Sequence, residues 1–224
     1  SVNGRFLIQD RAVVTLIRSG DLTRLAGQTP GFDGTWTFYA NPDGSLPGAE
    51  AESRAVTSRR PGAQLFVGAQ ASESQLVKLA GSSRLLHLAT HGSVNRRNPD
   101  LSYLLMAGQD KLTRRDVLST LSLPATRLVT LSACESALSG QSSGTEVNSL
   151  ADAFWTVGAR AVIGSLWRVP DRSTSLLMQD LYNQVSSGRN LAEALRHAQL
   201  SLLANPATAH PQNWAGFLVW GDWR

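Results

Sequence analysis

The feature that most constrains this chain is a series of short apolar segments, too brief for buried helices and separated by amphipathic stretches. Arg5–Ile8, Val13–Ile17, Thr35–Ala40, Gln64–Val67, Leu85–Thr90, Leu128–Ala133, Arg160–Leu166 and Gly216–Trp220 are rich in aliphatic, β-branched or aromatic residues. Several are apolar without alternation, the pattern of strands covered on both faces. Between them, Ser72–Ala80, Thr113–Thr120, Glu146–Val157 and Ser173–Val185 read as helices. In the third, Val147, Leu150, Phe154 and Val157 recur at helical spacing and Gly158 stops the run. A further helix begins at Asn190, where Glu193 three places on makes a capping-box-like start; its stripe is Leu191, Leu195, Ala198 and Leu202. Strands alternating with helices predict an α/β fold, with a central, mostly parallel sheet and helices on both faces.

At 224 residues and 42% hydrophobic content, the chain can bury a core without disulfides or metal. A single cysteine, Cys134, excludes an internal disulfide framework and a Cys-rich zinc site. The four histidines, His87, His91, His197 and His210, leave little for a multi-histidine centre, so no metal is expected. No apolar run reaches the roughly 18 residues of a membrane span. There is no signal-peptide pattern, and one free thiol suits a reducing compartment, so a cytoplasmic location is expected. The net charge of +4 is carried almost wholly by scattered arginines, with lysine only at positions 78 and 111. Without a basic stripe interleaved with aromatics, nucleic acid is not an expected partner.

Three polar loops stand out: Asn41–Gly48, which is turn chemistry; Gly92–Asp100, charged and irregular; and Glu135–Thr145, small, polar and glycine-containing. The last two leave strands directly. In open parallel sheets, sites form beyond the carboxyl ends of strands. His91-Gly92 is the exit of one buried strand and Cys134-Glu135 the exit of another. If those strands are neighbours, both side chains meet at one sheet edge. A thiol with a pKa of about 8.5 needs a nearby base or cation to act as a nucleophile at neutral pH, and histidine supplies one. The backbone N–H groups of Gly92 and Cys134 are candidates for holding a developing oxyanion. Taken alone, Cys134 also reads as a small buried hydrophobe and His91 as a hydrogen-bonded structural residue. His87 shares the face of His91 under period two but lies deeper, and reads as a satisfied core histidine. His197, in a helix, and His210, before Pro211, read as structural.

The residues resemble a known family. Leu86-His87-Leu88-Ala89-Thr90-His91-Gly92, followed by Leu131-Ser132-Ala133-Cys134-Glu135, are similar to the two catalytic motifs of CHAT domains. These are caspase-like, separase-related cysteine peptidases of bacteria, often joined to tetratricopeptide repeats. The resemblance continues through Leu46–Glu52 (the linker before the domain's helix), Ala153–Ala159, Gly164–Asp171, Glu193–Gln199 and His210–Phe217. It implies a caspase-like three-layer α/β/α sandwich. The chain is then expected to be a single domain over 1–224 that lacks an N-terminal strand-turn segment. It also implies an endopeptidase with a Cys134–His91 dyad, no cofactor, a protein or peptide substrate, and a repeat-bearing regulatory domain or protein as partner. The alternative is a catalytically silent scaffold of the same fold.

Glu135, Trp167 and Asp171 are expected to contact substrate. In separase, which Leu166-Trp167 and the residues after it resemble, the acidic residue beyond the Leu-Trp motif helps to hold a basic P1 side chain. This implies cleavage after arginine, with Trp167 as an apolar wall. The other reading of Asp171 is a cap on the helix starting near Ser173. The loop Glu135–Thr145 is expected to gate the cleft.

Overall fold

The computed structural model describes residues 4–16, 31–133 and 149–224. Its centre is a seven-stranded sheet built from β1 (Val14–Thr15), β2 (Trp36–Ala40), β3 (Gln64–Val67), β4 (Leu85–Ala89), β8 (Leu128–Ser132), β9 (Ala161–Ser165) and β10 (Phe217–Gly221). The spatial order is β1-β10-β9-β8-β4-β2-β3. From β9 to β3 every pairing is parallel; β10 runs antiparallel to β9 and pairs in parallel with β1. A small antiparallel sheet, β5 (Gly92–Ser93), β6 (Tyr103–Leu105) and β7 (Lys111–Thr113), stands beside it.

Period-two alternation divides the buried strands between two cores. Leu86, Leu88, Val129, Leu131 and Val162 point to one face, which is covered by α2 (Glu73–Leu79), α3 (Arg114–Thr120) and α4 (Leu150–Thr156). Leu85, Leu128 and Ile163 point to the other, under α1 (Pro47–Thr57), α5 (Asp171–Ser186) and α6 (Leu191–Ala204). Each fully buried leucine or isoleucine contributes about 1.5–3 kcal/mol. The expected three-layer α/β/α architecture is therefore present, with β2, β4, β8 and β9 buried on both faces.

Most helices start where the sequence marks them. Ser72, Ser149 and Asn190 accept hydrogen bonds from backbone N–H groups of the first turns of α2, α4 and α6, and Thr113 forms a capping box with Asp116 at α3. Three expectations are corrected. Arg5–Ile8 is not a strand: Leu7–Gln9 forms a 3₁₀ turn, closed by the Gln9 side chain accepting from the Phe6 N–H. The stretch from Leu46 is not a linker, since α1 begins at Pro47. Gly92–Asp100 is not wholly irregular, because it opens with β5.

Candidate active site

The described part of the site is a cleft of about 170 Å³ at the carboxyl ends of β2, β4, β8 and β9. Thr90 and His91 reach it from β4, Ser132 and Ala133 from β8, and Ser165 from β9. The β9–α5 loop supplies Arg168, Val169 and Pro170; Asp171 and Thr174 follow from the first turns of α5. β4 and β8 are parallel neighbours with Ala89 in register with Ser132, and the Thr90 N–H donates to the Ser132 carbonyl at 3.3 Å. The Ser165 hydroxyl donates to the Ala133 carbonyl at 2.7 Å, tying the end of β8 to β9. Cys134 and Glu135, and with them the loop Glu135–Thr145, lie outside the described residues.

His91 is one-third exposed. Its Nε2 lies 2.6 Å from the Ser45 hydroxyl, which in turn donates to Asp43 Oδ1 at 2.8 Å. Asp43 Oδ2 is 3.8 Å from the same ring nitrogen. Burial opposes ionisation of Asp43, but hydrogen bonds from the Ser45 side chain and backbone, with the nearby imidazole, outweigh it and hold the carboxyl below its ordinary range. The Leu105 N–H donates to the His91 carbonyl at 2.9 Å, and Gly92 is in register with Leu104. Hydrogen-bonded and non-bonded positions alternate along an antiparallel pair, so Gly92 turns its N–H away from β6.

His87 differs sharply. It is fully buried, with Nδ1 2.7 Å from the Tyr182 hydroxyl and Nε2 2.9 Å from Glu52 Oε1. Burial pushes its pKa down to about 3. Burial, aided by the charge on Asp171, raises that of Glu52 well above the carboxylate range. The two opposite shifts favour a neutral pair, in which the Glu52 carboxyl donates to Nε2 and Nδ1–H donates to Tyr182. His87 is the satisfied core histidine that the sequence suggested. His197 pairs with Asp180 at 3.1 Å, and His210 accepts from the Gln212 N–H.

Asp171 does not cap the helix it begins. Its Oδ2 accepts from the Gly48 N–H at 2.7 Å and its Oδ1 from the Ala49 N–H at 3.1 Å, so it caps α1 from 123 residues away. Gly48 permits the approach: a Cβ there would collide with the Asp171 carboxylate. Asp171 lines the cleft; Trp167 lies outside its lining, against Gly216, and donates Nε1–H to the Gln212 carbonyl at 3.1 Å. Asp43 and Ser45 were missed as site residues. The Asn41–Gly48 turn leaves a buried strand directly, but only the pairing of that strand with β4 brings the turn to the site.

A larger hollow of about 390 Å³ lies at the opposite, amino-terminal edge of the sheet, lined in part by Arg60, Arg127 and Arg224. Its guanidinium groups are spent on the protein itself. Arg60 stacks 3.8 Å from the Trp36 ring centroid and donates to the Phe32 carbonyl; Arg127 and Arg224 pair with Asp222. Volume therefore does not choose between the two sites, and the chemistry favours the smaller one. Among the described residues there is no cluster of metal-ligating side chains and no helix long and apolar enough to cross a membrane.

A mostly parallel sheet between two helical layers is the caspase-like fold. Solved structures share it. The chain covers 13% of a separase chain in the Saccharomyces cerevisiae separase–securin complex, with a TM-score of 0.62 over 90% of this chain and 18% identity. It covers 46% of the Arg-specific cysteine proteinase gingipain R, with a TM-score of 0.62 over 84% of this chain and 10% identity. Residues 1–222 match the CHAT domain, and the chain belongs to that family. It is 29% identical over 216 residues to human Tetratricopeptide repeat protein 28, and 25% identical over 222 residues to the mouse protein. It spans only 8% and 9% of the length of these two relatives.

Proposed function

We propose that the chain is a cysteine endopeptidase in which Cys134 is the nucleophile and His91 the general acid and base. The observation that carries this reading is the pairing of β4 with β8. One strand delivers His91 to the cleft, and its parallel neighbour opens into the same cleft at Ala133, one residue before the only cysteine. In this reading His91 accepts the thiol proton, and the thiolate sulfur attacks the scissile carbonyl carbon. The carbonyl oxygen takes up the charge near the outward N–H of Gly92. The imidazolium then protonates the leaving amine as the C–N bond breaks, giving an acyl-enzyme. Water, deprotonated by His91, hydrolyses the thioester and restores the thiol.

Among the described residues, Asp171 is the acidic side chain of the cleft lining, which supports a basic P1 residue. Two of its lone pairs are used by Gly48 and Ala49, and a carboxylate offers about four acceptor positions, so a guanidinium has two left to meet. The names of the curated relatives favour a second reading, a repeat-associated protein-interaction module that uses the same fold without turnover. Alkylation by a thiol-directed probe separates the two. Under the peptidase reading Cys134 reacts quickly at neutral pH, and His91→Ala slows it at least tenfold. Equal rates in the two proteins would leave the interaction module standing.

A further inference from the structure

We propose that Asp43 and Ser45 are positioning residues, which fix His91 as its Nε2–H tautomer and leave Nδ1 as the basic nitrogen of the site. The inference rests on the reading of His91 as the general base, and it follows from counting protons. Ionised Asp43 can only accept, so its 2.8 Å contact with Ser45 consumes the single hydroxyl proton of that serine. Turning the hydroxyl the other way would set two acceptors against each other, which is costly. Ser45 must therefore accept from His91 across the 2.6 Å contact, and Nε2 carries the hydrogen. Nδ1 has no hydrogen-bond partner among the described residues. When Nδ1 takes a proton, the positive charge forms with Asp43 Oδ2 only 3.8 Å from Nε2.

The turn that carries this pair is held by its own backbone and side-chain hydrogen bonds. Asn41 adopts a positive φ of 51°, its N–H donates to the Ala89 carbonyl at the end of β4, and its side chain accepts from the Leu46 N–H at 2.7 Å. The Ser45 N–H donates to Asp43 Oδ1 at 3.1 Å. The hydroxyl is thus aimed by backbone anchored to the same strand that presents His91, which is what preorganisation of a catalytic base requires.

Long-range proton–nitrogen NMR of the imidazole rings tests this at mildly alkaline pH, with His91 assigned through the His91→Gln variant. The wild type should show one tautomer with Nδ1 unprotonated. Ser45→Ala and Asp43→Asn should each populate both tautomers, and Ser45→Thr, which keeps the hydroxyl, should restore the single form. A wild-type ring protonated at Nδ1, or a single Nε2–H form that survives both Ser45→Ala and Asp43→Asn, overturns the proposal. Iodoacetamide alkylation of Cys134 should slow about tenfold in Ser45→Ala, below the roughly 10²–10⁴-fold reach of a whole general base. Alkylation that responds to His91→Ala but not to Ser45→Ala also overturns it. If alkylation ignores His91→Ala, the peptidase reading fails, while the ring spectra still judge the tautomer.

Discussion

His87 and His91 lie four residues apart on one line of chain, and the sheet treats them in opposite ways. His87 is inside β4, with Glu52 on one nitrogen and Tyr182 on the other. His91 is past the end of the strand, with Ser45 on one nitrogen and no described partner on the other. The first has its hydrogen-bonding capacity filled and its charge suppressed by burial. In the tautomer proposed above, the second keeps a free lone pair at a partly exposed edge. A histidine does chemistry when the fold leaves it incomplete in one direction and holds it firmly in the other.

The sharpest way to break the comparison is to remove each ring. His91→Ala should lower turnover of a cleavable peptide by about 10²–10⁴-fold and leave the melting temperature almost unchanged. His87→Ala should do the reverse in kind. It strands the neutral Glu52 carboxyl and the Tyr182 hydroxyl in the core, costs about 1–3 kcal/mol for each group left unsatisfied as read in denaturant titrations, and depresses activity only through loss of folded protein. A large stability loss in His91→Ala would erase the distinction.

The pH dependence of stability sharpens it further. The folded Glu52–His87 pair holds one proton, on Glu52. Unfolded, glutamate titrates near 4.5 and histidine near 6.5. Between those values the unfolded pair also holds one proton, on histidine, so this pair adds no slope. Above 6.5 the unfolded pair holds none, and stability falls as pH rises, by up to about 1.4 kcal/mol per unit until Glu52 ionises in the fold. Below 4.5 the unfolded pair holds two, and stability falls as pH drops, until His87 titrates near 3. Glu52→Gln should abolish the alkaline slope, as read from urea midpoints between pH 6 and 8; a slope that persists would place the proton elsewhere. The smallest effect belongs to Asp171→Asn. It weakens the cap on α1 by about 1 kcal/mol and should narrow any preference for P1 arginine over P1 methionine in paired peptides. An unchanged preference would leave Asp171 with the helix alone.

The interior of the fold was readable because burial writes itself into composition. Leu85–Thr90, Leu128–Ala133 and Arg160–Leu166 are apolar on both faces, and only a covered parallel sheet accommodates that. Ser72, Thr113 and Asn190 announced their helices because their caps lie in adjacent sequence. α1 had no such announcement. Leu46 cannot cap, and the carboxylate that does so comes from Asp171, beyond any local window. The same limit hid Ser45 and Asp43, since a Pro-Asp-Gly-Ser turn looks like any other until β2 is known to lie against β4. β5 was too short to carry a period, and its partner strand begins ten residues after it ends.

The strand order carries a consequence for how such a chain is made. β10 emerges last among the described strands, yet it sits between β9 and β1 rather than at a margin. Until Phe217–Gly221 has left the ribosome, β9 presents an open row of amides and carbonyls beside apolar surface that α6 and β10 will later cover together. During vectorial synthesis the half-built sheet is therefore adhesive at its centre, and a chain released before β10 would expose an edge suited to pairing with another copy. Truncation from the carboxyl end should thus yield aggregates rather than a smaller soluble domain.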